Sequence, residues 1–216
     1  MLLWRINQQA LTLNMGFPGA LSTLIDKIRA TGRNDPMSKA NATREKLLTH
    51  ARRQMWARGY GAVSLREVAT AAGVDVALVS RYFGGKRGLF EATLVGAFPS
   101  PEPDTQDESD MLEYVVQLFL TAPRGGVDPS VMRMVVMNAH DEEVGEMVRT
   151  AHAEQIQNNL AEMLQSPARA ALFMAAAYGL SVAEKSLHID GIAPVGTPEY
   201  EAQVRHMLQS ALDYKA

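Results

Sequence analysis

Three features of the sequence predict an all-α fold made of a short helical unit followed by a larger one. From about residue 40 to residue 214, apolar side chains recur at helical spacing. Ser64-Leu65-Arg66-Glu67 carries the pattern of a helix start, and Ala71-Ala72-Gly73-Val74 that of a tight stop. Between the two units the stretch from Phe98 to Asp110, FPSPEPDTQDESD, is too rich in proline and acid to hold a helix. The expected divisions are an extension over 1–37, a first domain over 38–98 and a second over 99–216.

Composition bounds the possibilities. The 216 residues are 47% hydrophobic and 21% charged, as in ordinary folded soluble domains. There is no cysteine, so disulfide staples and thiolate metal sites are excluded. A reducing interior suits such a chain, and the cytoplasm is the expected location. No run reaches the roughly 18 apolar residues needed to cross a bilayer, so no membrane partner is expected. The net charge of −3 hides an asymmetry: residues 38–98 carry ten basic and four acidic side chains, residues 99–216 seven and eighteen. A basic head joined to an acidic body suggests that one end meets a polyanion.

Residues 1–36 are loosely apolar but interrupted by Arg5, Asn7, Gln8 and Gln9, which does not suit a secretory leader. Met37-Ser38-Lys39 has the look of a start ahead of the first patterned helix, and 31–36 that of a linker; the extension is assigned no function.

In the basic segment a helix is expected over about 40–58, with Leu47, Leu48, Ala51 and Met55 on one face and Gly59 as its stop. The second begins at Ser64, whose hydroxyl and Glu67 form a capping box, buries Leu65, Val68, Ala69 and Ala72, and leaves Arg66 pointing outward. Gly73 makes the turn and Val74 returns to the core. A third helix opens at about Asp75, with Val79 and Phe83 inward. Val76, Ala77, Ser80 and Arg81 then face outward, with Leu78 on that face or at its edge. A face of small, mixed side chains suits the major groove of DNA. Gly84-Gly85 breaks the chain again, and Lys86 opens a fourth helix expected to reach about Phe98.

These pieces together resemble the DNA-binding domain of the TetR family of bacterial transcriptional regulators: TREKLL from Thr43, Arg-Gly-Tyr at 58–60, Ser-Leu-Arg-Glu-Val-Ala from Ser64, Ala-Gly-Val at 72–74, Tyr-Phe-Gly-Gly-Lys at 82–86 and Leu-Phe at 89–90. The resemblance spans about fifty residues. It implies a helix-turn-helix domain followed by a helical ligand-binding and dimerisation domain. It implies that Arg66 meets a base edge or phosphate, that Val76, Ala77, Leu78 and Ser80 lie in the groove, and that Tyr82 and Lys86 clamp phosphates, with Arg81 in either role and Ser64, at the start of the helix that carries Arg66, also among the DNA-binding residues. Many members have tyrosine at the position of Ser80, so a different operator is implied here.

The acidic segment reads as helices throughout. One from about Ser109 gathers Met111, Tyr114, Val115, Leu118 and Phe119 and ends at Pro123 with Gly125-Gly126; the next, expected to be capped by Asp128-Pro129, carries Met132, Met134, Val135, Val136 and Met137. A longer one is expected from Asp141 to about Gln165. Eight of the twelve methionines follow residue 99, and adaptable thioethers suit either a core or a cavity for irregular apolar ligands. Tyr114, Phe119, Met134 and Met137 are the candidate lining for a small apolar effector. Between Ser166 and His188, Ala171, Ala175, Gly179 and Ala183 recur every four residues as a smooth stripe, with Phe173, Leu180 and Leu187 every seven on a neighbouring face; a last helix offers Val204 and Leu208. The resemblance implies that the last two long helices pair with their copies in a homodimer. The candidate interface is the stripe with Val204 and Leu208, and intramolecular packing is the alternative.

The five histidines make no His-Glu-x-x-His, and no nucleophile elbow or glycine-rich phosphate loop occurs. No metal, cofactor or catalytic set is expected. The sequence therefore points to a homodimeric repressor of a palindromic double-stranded operator, released by an effector. Activation by the same fold and non-specific DNA binding are the alternatives.

Overall fold

The computed structural model describes residues 36–98, 107–121 and 128–215, all helix and connecting turn. The expected arm and linker at 1–35, most of the proline-rich break, and the stop at Pro123 with Gly125-Gly126 lie outside these residues. Residues 46–216 form one compact unit. The described part of residues 1–45 is the start of the first helix.

Helix α1 spans Pro36–Arg58, four residues longer at its start than the apolar pattern predicts. It is followed by α2 (Leu65–Ala72), α3 (Ala77–Phe83) and α4 (Lys86–Leu94). Leu47, Ala51, Met55, Val68, Val79, Leu89 and Phe90 are all fully buried and form one core. Trp56 donates its indole N–H to Thr93 Oγ1 at 3.0 Å, and that hydroxyl donates to the Phe90 carbonyl at 2.6 Å, so the buried threonine is satisfied twice. Arg52 donates to the carbonyls of Thr93 and Val95 at 3.1 and 3.3 Å, closing the end of α4 from α1. Helix α4 accordingly stops at Leu94, four residues before the expected end, although Phe98 still packs into the same core.

Helix α5 spans Glu108–Thr121, and α6 spans Val131–Asn138. The cap of α6 is Ser130, whose Oγ accepts the Arg133 amide at 3.2 Å; Asp128, expected to cap it, instead pairs with Arg53 at 2.6 Å. Helix α7 runs over Gly145–His152, later than the expected Asp141. The Asp141 side chain accepts the amides of Glu143 and Val144 and holds a turn ahead of the helix. From α7 the chain continues through a π-helical turn, Ala153–Gln157, into α8 (Asn158–Met163). Helix α9 (Pro167–Val182) is capped by Ser166 and continues through a second π turn, Ala183–Leu187; α10 (Pro198–Leu212) is capped by Thr197.

The body has its own core, with Val116, Phe119, Phe173, Tyr200, Val204 and Leu208 at its centre. Arg169 ties it together at one end, donating to the Leu212 and Leu164 carbonyls and pairing with Glu108. The head's core does not stop at the proline-rich break. Met134 of α6, and Val144 and Val148 at and within the start of α7, are fully buried in the cluster that α1–α4 build.

Candidate functional site

Around α2 the sequence dictates its own geometry. Ser64 Oγ accepts the Glu67 amide at 3.2 Å and Glu67 Oε2 accepts the Ser64 amide at 2.7 Å, satisfying two N-terminal donors reciprocally. Arg58 pairs with the other carboxylate oxygen at 3.0 Å. The Ser64 hydrogen bonds, backbone then side chain, followed by Arg58, lower the Glu67 pKa to about 2. Gly73 ends α2 at φ +67°, a left-handed turn where its amide returns to the Thr70 carbonyl. Asp75 Oδ1 accepts the Ala77 amide at 2.7 Å, so it caps the approach to α3 although the regular helix starts two residues later.

On α3 and just before it, Val76, Ala77, Ser80 and Arg81 are exposed while Val79 is fully buried. Leu78 is half-buried against the head's core and so stands at the edge of the outer face. Arg66, on the first turn of α2, is exposed and makes no ion pair among the described residues. Ser64 is exposed but committed to its cap. Tyr82 is half-buried and stacks edge-on with Phe83 at 6.5 Å. Lys86, at the start of α4, places its ammonium 4.1 Å from the centre of the Tyr60 ring, a cation–π contact that fixes the side chain.

Sequence patterning missed the residues that fasten this head to the body. The Tyr60 hydroxyl donates to Glu143 Oε1 at 2.6 Å, and its ring packs edge-on against Phe90 at 5.5 Å. Burial and then the Glu143 carboxylate hold the phenol proton well above its ordinary pKa. Asn138 is fully buried: its Oδ1 accepts the Tyr60 amide at 2.7 Å, and its Nδ2 donates to the Met134 and Met55 carbonyls at 2.8 and 3.2 Å. Arg87 donates to the Glu143 carbonyl, and Arg133 donates twice to the Ala57 carbonyl. Gly88 is required by close approach, because a Cβ there would strike the Phe83 carbonyl where α3 turns into α4. Apart from the Asn138–Met134 bond and the Gly88–Phe83 approach, these pairings join residues far apart in sequence and have no periodic signature.

In the body, α5, α6, the α7–α8 helix and α9 line a half-open cavity of about 330 Å³. Its wall includes Met111, Tyr114, Val115, Leu118 and Phe119, the stripe expected to lie together on α5. Of the four candidate lining residues, Tyr114 and Phe119 are on the wall and Met134 and Met137 are not. Met134 faces the head's core, fully buried, and Met137 lies beside Gly59, with its carbonyl 3.3 Å from where a Cβ would stand. A one-helix periodicity cannot say which of two cores a methionine enters. Met132, Met163 and Met174 line the cavity instead. Next to it, His152 stacks between Phe98 at 6.4 Å and Tyr178 at 5.6 Å. Its Nε2 is buried without a partner, and burial lowers its pKa.

Ala171, Ala175 and Gly179 of the small-residue stripe are exposed, with open space where a Gly179 side chain would go, and Ala183 is half-buried in the second π turn. The expectation for Val204 and Leu208 is corrected: both are fully buried in the body's own core and have no surface to offer a second copy. The seven-residue repeat on the neighbouring face also breaks. Phe173 and Leu180 are buried but Leu187 is 64% exposed, because the π turn adds a residue per turn and rotates the later side chains out of register.

A capped helix, a left-handed glycine turn and a short helix with a small exposed face define a helix-turn-helix protein, here carrying a helical body with an apolar cavity. The model of bacterial regulatory proteins of the tetR family matches residues 47–93, and that of the tetracyclin repressor-like C-terminal domain matches residues 110–212. The chain belongs to the TetR family of bacterial regulators. Among solved structures, NalD of Pseudomonas aeruginosa, described as the secondary repressor of the MexAB-OprM multidrug efflux pump, is similar at TM-score 0.55 and 18% identity, over 80% of this chain and 96% of that one. A HlyIIR mutant protein is similar at TM-score 0.53 and 20% identity, over 81% of this chain and 100% of that one. At such identities the likeness is one of fold. No curated protein matches the sequence.

Proposed function

We propose that this regulator is a repressor that binds a palindromic operator as a homodimer and leaves it when a small apolar effector fills the cavity of the body. The observation that carries the reading is the outer face of α3, where Val76, Ala77, Ser80 and Arg81 stand exposed, with Arg66 also exposed on α2. A helix with short outward side chains enters the major groove, where Ser reaches base edges and apolar groups meet thymine methyls. Arg66 is the base reader, and Tyr82 and Lys86 hold the phosphates that set the register.

The dimer is expected to form across Ala171, Ala175 and Gly179, whose small side chains let a second helix approach closely. Two α3 helices about one DNA turn apart then read two half-sites. An effector acts only if it binds one head spacing better than the other. The Asn138 and Tyr60–Glu143 contacts are a route by which a shift of α6 or α7 reaches the head. The protein works where its operator is, in the cytoplasm. Footprinting on the DNA beside its own gene tests the proposal. A protected two-fold site, lost when an effector is added, is expected; a monomer in solution that protects no discrete site refutes it.

A further inference from the structure

Lys86 is half-buried at the start of α4, and its ammonium stands 4.1 Å from the centre of the Tyr60 ring. Among the described residues its side chain has no hydrogen bond and no ion pair, so the ring is its polar partner and its N–H donors are unused. The ring itself is fixed. Tyr60 is 3% exposed, its amide donates to Asn138 at 2.7 Å, its hydroxyl donates to Glu143 at 2.6 Å, and its ring packs edge-on against Phe90 at 5.5 Å. Asn138 ends α6 and Glu143 lies just before α7, so the body helps to set the surface on which Lys86 rests. A free lysine side chain samples many rotamers and loses that freedom when it grips a phosphate. An ammonium drawn to a ring face by the ring's quadrupole has lost much of that freedom already, and the ring occupies one side of it only.

We propose that Tyr60 is the positioning residue of the phosphate clamp: its ring holds the Lys86 ammonium ready for a backbone phosphate, so that less side-chain freedom is lost when DNA binds. This rests on Lys86 being a phosphate contact. A phosphate oxygen then meets the ammonium from its open side, with the ring still behind it. The gain comes from ordering the side chain before DNA arrives, and it disappears when the ring is replaced by an aliphatic group.

Titration of the full protein into two labelled duplexes of equal length, one from beside its own gene and one of random sequence, read by fluorescence anisotropy, tests the inference as a double-mutant cycle. Lys86→Ala is expected to weaken binding to both. With Lys86 present, Tyr60→Leu is expected to weaken both by about two- to tenfold per clamp, and Tyr60→Phe, which keeps the ring, by less than about twofold. On the Lys86→Ala background Tyr60→Leu is expected to cost nothing further within about twofold, whereas a merely structural role makes the two losses multiply. Should Tyr60→Leu not fold, trifluorophenylalanine at position 60 keeps the ring's shape and weakens its negative face. It is expected to bind DNA less tightly than Tyr60→Phe, and only with Lys86 in place. Losses that multiply, or a leucine or fluorinated variant that binds as Tyr60→Phe does, overturn the inference. So does a leucine variant that binds tighter, since ring and phosphate then compete for the ammonium. Lys86→Ala at parental affinity refutes the clamp itself and the inference with it, whereas a loss in Lys86→Ala that does not depend on residue 60 overturns the positioning role and leaves the clamp standing.

Discussion

Replacing Asn138 with leucine removes one side chain of nearly equal volume and breaks three hydrogen bonds, but the three losses are unequal. The Met55 carbonyl keeps the Gly59 amide at 3.0 Å, and the Met134 carbonyl keeps its place in the α6 ladder. The Tyr60 amide has no such reserve. It donates to Asn138 Oδ1 at 2.7 Å, in a setting where Tyr60 is 3% exposed and Asn138 is fully buried. The cost is therefore set by one orphaned buried donor, about 1–3 kcal/mol, with the two lost Nδ2 bonds offset by the better burial of leucine. At about 2 kcal/mol and the size of this chain, the thermal midpoint falls by roughly 6 °C at fixed protein concentration. Urea unfolding gives the energy, and amide exchange gives the location, because Tyr60 should lose protection more than its neighbours. A variant within about 0.5 kcal/mol of the parent, or one whose Tyr60 amide stays equally protected, would show that the head is not fastened to α6 through this bond.

Arg66→Ala is expected to weaken operator binding by about 1–3 kcal/mol and to relax the base preference at one position in each half-site; equal loss on random duplex would reduce Arg66 to a phosphate contact. Lys86→Ala should lower affinity uniformly across sequences and reduce the slope of log affinity against log salt by about one per site. Gly88→Ala puts a methyl group against the Phe83 carbonyl and should cost about 2 kcal/mol or more in thermal unfolding, with operator binding impaired as α4 shifts from α3; an unperturbed melt would mean that the turn has room. Burial lowers the His152 pKa from its ordinary 6.5, so the unfolded chain binds its proton more readily than the folded one. That contribution to stability is present above about pH 6.5 and lost as the pH falls below it, and His152→Phe should shrink the drop in urea midpoint between about pH 8 and about pH 5.5.

Local features are legible in the sequence alone. The capping box at Ser64 and Glu67, the glycine turn at Gly73 and the outward set on α3 depend on contacts within a few residues, and so does the stripe on α5. Their geometry follows from neighbouring side chains and backbone sterics whatever the rest of the chain does. Everything that needs a partner distant in sequence was settled by tertiary packing. Met134 and Phe119 are both apolar on amphipathic helices, and only packing sends one to the head's core and the other to the cavity wall. Val204 and Leu208 have the spacing of an interface, yet the body's own core claims them. The π turns at 153–157 and 183–187 shift register without a sequence signal. The Asn138 clasp joins positions 78 apart, because a buried amide must find its acceptor wherever the fold brings one.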